Sequence, residues 1–236
     1  AAANGAEIIA TPENSDFMVD GQSRKLAGAC TESDHPFIEA FAGLAKELKV
    51  TLILGSIAVK LDGDKVHNRC YVFSPSGAII GTYNKIHLFD VSLPSGEIRR
   101  ESDLVTAGEG LTIVEAGDTK IGLSICYDVR FPDMFRTMAR QGAQILSIPA
   151  AFTVSTGEMH WEVLLRARAI ENGAYVIAPA QCGTHDGNRH TYGHSMIINP
   201  WGKIIAEAGT APAIIYAEIE LDEVSRFRAA IPSLNG

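Results

Sequence analysis

Cys126 stands where a nucleophile would be built. It follows the apolar run KIGLSI at 120–125 and precedes Tyr127-Asp128-Val129-Arg130-Phe131-Pro132 and a helical pattern, which places it at a strand-to-helix turn. At such a turn a sulfur can project from the sheet, while the unpaired N–H groups of the coming helix favour a thiolate and any oxyanion beside it. Structural cysteines occupy such turns too, so position alone leaves both readings open. Cys30, Cys70 and Cys182 are far apart in the chain. No C-x-x-C pair is present for zinc, iron–sulfur or dithiol chemistry, and the plain reading of a free cysteine is a buried thiol in a reducing compartment.

The histidines offer a rival chemistry. His185, His190 and His194 fall close together, and His190-x-x-x-His194 has the spacing of a metal pair on a helix. Gly183, Gly187 and Gly193 argue against a helix there, so the expectation is a polar loop with no metal. His160, beside Trp161 at a helix start, is the candidate if Cys126 belonged to a Cys–His protease.

These residues must be held by alternating strands and helices. Strand patterns occur at 6–12, 50–59, 68–74 and 78–86, the last two flanking the turn Pro75-Ser76-Gly77. A helix is expected over 34–48, where Phe37, Ile38, Phe41, Leu44, Ala45 and Leu48 recur at helical spacing with Ser33 or Asp34 to cap it. Residues 87–110 show little periodicity, and an irregular stretch of that length is more often functional than idle. Beyond it come strands at 111–116 and 120–127, a helix within 131–142, a strand at 143–150 and a helix within 157–173. Strands at 174–181, 195–200, 203–208 and 213–221 then complete a mixed sheet.

The 236 residues fit a single domain over 1–236, with no linker or repeat to divide them. A hydrophobic share of 46% and a charged share of 20% exclude a disordered chain, and no apolar run is long enough to span a membrane. No basic n-region of a secretory signal opens the chain. With 20 Lys and Arg against 28 Asp and Glu, net charge −8 and no basic cluster, nucleic acid and anionic membranes are poor partners and a small molecule is favoured.

Three segments in order, Thr11-Pro12-Glu13-Asn14, Tyr83-Asn84-Lys85-Ile86-His87-Leu88-Phe89-Asp90 and Cys126-Tyr127-Asp128-Val129-Arg130-Phe131-Pro132, resemble the Glu, Lys and Cys motifs of the nitrilase superfamily of carbon-nitrogen hydrolases. Glu101 in RRESDLVTAG, the helix HWEVLLRARAIENG and the segment YGHSMIINPWG extend the resemblance over nearly the whole chain, toward the branch that acts on deaminated glutathione. A lone Pro-Glu or Cys-Tyr-Asp would be weak; the ordered set is strong.

The resemblance implies a four-layer α-β-β-α sandwich and an amidase working through a thioester. Cys126 is then the nucleophile and Glu13 the general acid and base. Lys85 and the backbone N–H of Tyr127 hold the oxyanion, and Glu101 is a second carboxylate near Lys85 that positions it or the substrate. No cofactor is implied. Arg130 is a candidate to clamp a substrate carboxylate, or to pair with Asp128 or Asp133 and fix the turn. The expected substrate is a small α-keto-acid amide such as deaminated glutathione, in a cytoplasmic homo-oligomer. Alternatives are ω-amidase action on α-ketoglutaramate, another small amide or nitrile, or, from a different class, an inactive binding or scaffold protein.

Two departures accompany the resemblance. The strand and helix that usually precede the segment matching GAEIIATPE, roughly 25 to 35 residues, are absent, which implies either a trimmed chain or a sheet without an inner strand. Asn84 stands where the lysine motif usually has Arg or Asp.

Overall fold

Nine of the ten residues from Thr51 to Lys60 are buried, because this strand has a packed layer on both faces. The computed structural model describes residues 1–19, 21–93, 96 and 98–235. Residues 94, 95 and 97 of the irregular stretch lie outside the described residues. The elements run β1 (Ile8–Ala10), α1 (Gln22–Gly28), α2 (Pro36–Leu48), β2 (Thr51–Lys60), β3 (Val66–Phe73), β4 (Ile79–Asn84), β5 (Asp90–Ser92), β6 (Ile98–Arg100), β7 (Thr112–Ala116) and β8 (Thr119–Leu123). They continue with α3 (Pro132–Arg140), β9 (Ile145–Ser147), α4 (Val154–Asn172), β10 (Tyr175–Ala178), β11 (Cys182–Thr184), β12 (His190–Tyr192), β13 (Met196–Ile198), β14 (Ile204–Glu207) and α5 (Leu221–Ala230).

One sheet has the order β1-β2-β3-β4, the other β14-β13-β10-β9-β8-β7. Both are mixed: β1 runs parallel to β2, and β8, β9 and β10 are mutually parallel, while the remaining pairs in these sheets are antiparallel. Strand alternation sorts the side chains. Ile53, Cys70 and Val72 point into the core shared with Val114, Ile121 and Ile145 of the facing sheet, whereas Leu146 and Val176 turn to its other face, where Leu146 meets Met138 of α3. Their neighbours Leu52, Leu54, Tyr71 and Phe73 point the other way, where Phe37, Phe41 and Ala45 of α2 cover them. On the far side Met134, Phe135 and Met138 of α3, Trp161 and Leu165 of α4 and Val224 of α5 join the central cluster. Helix, sheet, sheet and helix form the four layers the resemblance implies. Burying each large apolar side chain contributes about 1.5–3 kcal/mol, so this core rather than any single polar contact holds the site's elements in place.

Local chemistry sets the ends. α2 begins at Pro36, a fixed φ suited to a first helical position, rather than on a Ser33 or Asp34 cap. α4 stops at Gly173, whose φ of 52° is the left-handed conformation that closes a helix.

The elements the sequence pattern did not announce are short or polar: α1, the hairpins β5–β6 and β11–β12, and α5. The strand expected at 213–221 does not form. Residues 212–220 have no ladder partner among the described residues, and Ile214 and Tyr216 are exposed. The segment borders a groove of about 1170 Å³ that it shares with residues 4–12 and with parts of β10 and β13. An apolar alternating run becomes a strand only when a neighbouring backbone stands beside it, and here the groove intervenes. No helix among the described residues is long and apolar enough to cross a membrane.

Candidate active site

Glu13, Lys85, Glu101 and Cys126 line one cavity of about 390 Å³, within the range of small-molecule sites. Glu13 lies on the loop after β1, which is fastened to an irregularity in β2. Gly55 N–H donates to Thr11 Oγ1 (3.1 Å), Asn14 N–H to Ser56 Oγ (2.9 Å) and Ser15 N–H to the Ser56 carbonyl (2.8 Å). The β2–β3 register shifts between Leu54 and Ile57 to make this seat. A Cβ on Gly55 would lie 2.0 Å from the Thr11 carbonyl oxygen, so only glycine admits the loop so close. Gln181 Nε2 supports it from the other sheet by donating to the carbonyls of Glu13 (3.1 Å) and Asn14 (3.3 Å).

Lys85 follows the last residue of β4. Its backbone N–H donates to Asn68 and its carbonyl accepts from Gly108. Its Nζ donates to Glu13 Oε1 at 2.9 Å and to Glu101 at 2.9–3.1 Å. Glu101 therefore pairs with the buried lysine, and its second oxygen accepts the Phe89 N–H at 2.7 Å. The other Glu13 oxygen accepts the Ala151 N–H at 2.9 Å.

The charges follow from this packing. Burial alone would raise the Glu13 carboxyl, but the Lys85 ammonium beside it holds it down at about 2. Burial would likewise depress Lys85, and Glu101 and Glu13 more than reverse that, so the lysine is held well above its ordinary value. Burial and then the Glu13 charge push the Cys126 thiol well up, against a smaller opposing pull from Lys85. The turn was expected to favour a thiolate; in the structure the resting group is a neutral thiol beside a carboxylate.

Cys126 opens a short helical turn, Cys126–Arg130, three residues beyond the end of β8, and its φ of 49° is unusual for a residue with a side chain. Three contacts hold it there. The Cys126 N–H donates to the Pro149 carbonyl at 2.8 Å, and Arg168 Nε of α4 donates to the Val129 carbonyl at 2.8 Å. Asp128, wholly buried, makes the third. Its oxygens accept from Ile125 N–H (2.8 Å), Tyr83 Oη (2.7 Å) and His87 N–H (3.1 Å), and one meets His87 Nδ1 at 2.7 Å. One carboxylate thus ties the cysteine turn to the segment that carries Lys85. The backbone N–H of Tyr127 belongs to the first turn, and the Tyr127 ring packs edge-on against Phe89 and Phe131.

Arg130 is not among the cavity-lining residues, although Tyr127 and Phe152 beneath its guanidinium are. It pairs with neither Asp128 nor Asp133 but donates through both Nη atoms to His160 Nδ1 at 3.3 Å. The other histidines keep separate partners: His185 meets Thr191, His190 meets Thr184 and His194 meets Glu207. Among the described residues no three His, Cys, Asp or Glu side chains gather to hold a metal ion.

Two participants escaped the sequence reading. Asn68 Nδ2 donates to both Glu13 Oε1 (2.9 Å) and Glu101 Oε1 (3.3 Å), and its only signal was an amide inside the apolar strand β3. Lys25 of α1 lines the cavity and donates to Asn14 Oδ1 at 2.7 Å, from a helix with no apolar stripe to announce it. A proton acceptor held ionised, a protonated thiol and a fixed ammonium in one small cavity can deliver a sulfur nucleophile to a polarised carbonyl.

Comparison with known proteins agrees. The family model described as carbon-nitrogen hydrolase matches residues 1–229. A deaminated glutathione amidase from Synechocystis is 44% identical over 98% of this chain and 85% of its own length. An omega-amidase of Homo sapiens is 36% identical over 98% of this chain and 83% of its own. The crystal structure of the Caenorhabditis elegans NitFhit protein superposes with a TM-score of 0.93 at 37% identity, over 100% of this chain and 57% of that one.

Proposed function

The chain belongs to the carbon-nitrogen hydrolase family, and from that premise we propose that residues 1–236 form one amidase domain that cleaves a small α-keto-acid amide through a thioester on Cys126. The observation that carries this reading is the placement of Glu13, Lys85 and Glu101 in the cavity of Cys126, with Glu13 and Lys85 2.9 Å apart.

In the proposed cycle Cys126 Sγ attacks the amide carbon while Glu13 takes the thiol proton, since the thiol is neutral at rest. The carbonyl oxygen becomes an oxyanion, held by the Lys85 ammonium and the Tyr127 N–H. Glu13 returns the proton to the departing nitrogen, the C–N bond breaks, and the thioester is left. Glu13 next removes a proton from water, which attacks the thioester and releases the acid and the thiol. Glu101 keeps Lys85 charged and aimed, and Asn68 fixes both carboxylates.

Relatives named for deaminated glutathione and for omega-amidase action favour an amide with an α-keto carboxylate. Deaminated glutathione is our first candidate substrate and α-ketoglutaramate the second. Arg130, four residues past the nucleophile, is the proposed receptor for the carboxylate on the acyl half. We place the enzyme in the cytoplasm, where its four free cysteines would stay reduced. Self-association is proposed through the exposed stripe Met159, Val163 and Ile170 on one face of α4. Steady-state kinetics on deaminated glutathione, α-ketoglutaramate and a neutral aliphatic amide test the substrate class. The keto acids should be strongly preferred, and equal kcat/KM on all three would reject it.

A further inference from the structure

Among the described residues five cationic side chains line the cavity, and four of them are already engaged. Lys85 holds two carboxylates and Lys25 holds Asn14. Arg100 donates to the carbonyls of Val91 and Arg99, and Arg99 also has a partner. Arg189 differs. It comes from the connection between β11 and β12, its Nε is buried without a hydrogen-bond partner, and its guanidinium makes no ion pair among the described residues. A buried donor in a folded protein ordinarily has an acceptor, so an orphaned one in the wall of a cavity asks for an acceptor from the ligand.

We propose that Arg189 receives a carboxylate on the amine half of the substrate, the half released when the acyl-enzyme forms; the proposal rests on the amidase reading above. A guanidinium presents parallel N–H groups that match a carboxylate, and among the described residues no carboxylate pairs with this one. Its position suits the leaving half. Residues 186–188 beside it are exposed, and Asp186 forms a 2.7 Å ion pair with Arg24 that ties this connection to α1, whose Gln22 and Lys25 line the same cavity. Arg189 therefore sits toward the solvent side, where an amine product departs, while the acyl half stays bonded to buried Cys126 until water releases it. Deaminated glutathione carries such a carboxylate on its glycine end; α-ketoglutaramate, which releases ammonia, does not.

The test compares the parent and Arg189→Gln on deaminated glutathione, on its analogue with the glycine carboxylate converted to a carboxamide, and on α-ketoglutaramate. The parent should prefer the acid to the carboxamide by roughly 10- to 100-fold in kcat/KM, the span expected for a charge-assisted contact. In Arg189→Gln that preference should fall to near unity, with α-ketoglutaramate turnover within about twofold of the parent, and Arg189→Lys should restore part of the preference. A variant that keeps the preference, or that loses all three substrates equally, overturns the role of Arg189 alone. A parent inactive on all three overturns this role and the amidase reading together.

Discussion

Glu13 Oε1 and Lys85 Nζ lie 2.9 Å apart with both side chains buried, so the proton acceptor and the oxyanion cation of the proposed cycle are kept charged by each other. This pairing has a pH signature. The folded-state carboxyl of Glu13 is held near 2 against an ordinary value of 4.5, so its contribution to stability is complete above about pH 4.5 and is lost as the pH falls toward 2. Urea unfolding across that window should show the parent losing on the order of 3 kcal/mol more than Glu13→Gln. Parallel curves for the two proteins would mean that Lys85 does not hold the carboxylate down.

Glu13→Gln keeps the shape of the side chain and removes the base. Single-turnover acylation should slow by about 100-fold or more, because proton removal from a neutral thiol has no replacement acceptor. Normal acyl-enzyme formation in this variant would remove Glu13 from the role of base.

Lys85→Met should slow acylation by roughly 100-fold or more through loss of an oxyanion donor. It should also destabilise the fold by about 3–5 kcal/mol at neutral pH, since it leaves the buried Glu13 and partly buried Glu101 carboxylates without the ammonium that joins them. Adding Glu101→Gln to Lys85→Met should recover part of the stability and none of the rate. Recovery of the rate would contradict the oxyanion role.

Asp128 is a positioning residue, not one that touches substrate. Asp128→Asn puts an N–H₂ in place of one of two oxygens, either Oδ2, which accepts from Ile125 N–H and Tyr83 Oη, or Oδ1, which accepts from His87 N–H, at a cost of about 1–3 kcal/mol. We expect slower labelling of Cys126 by a small electrophilic amide and a lower kcat with little change in KM. Unchanged labelling would show that the turn holds itself without this clamp.

Glu13, Lys85 and Cys126 were legible through the ordered motifs of the nitrilase resemblance, and they line one cavity; of the three, only Cys126 pointed to chemistry by its own place, at a strand-to-helix turn. What the sequence hid lies in the geometry between elements. Asp128 reads as a turn residue beside an arginine until Tyr83 and His87 are folded against it. Arg130 reads as a clamp for a substrate carboxylate or as a partner for Asp128 or Asp133, and the fold sets it against His160, thirty positions away on α4. The 213–221 segment has every local mark of a strand, but pairing depends on a neighbour that its own residues cannot specify. α1 and the β11–β12 hairpin bury little apolar surface, so periodicity had nothing to report there, although both deliver cavity residues.

In the proposed cycle the amide's acyl group passes through Cys126. Acid-quenched single turnover of deaminated glutathione, followed by peptide mapping by mass spectrometry, reads it directly. A thioester adduct of the keto-acid half should form on the Cys126 peptide and decay as product appears. Turnover with no adduct on Cys126, or with the adduct on Cys30, Cys70 or Cys182, would contradict it.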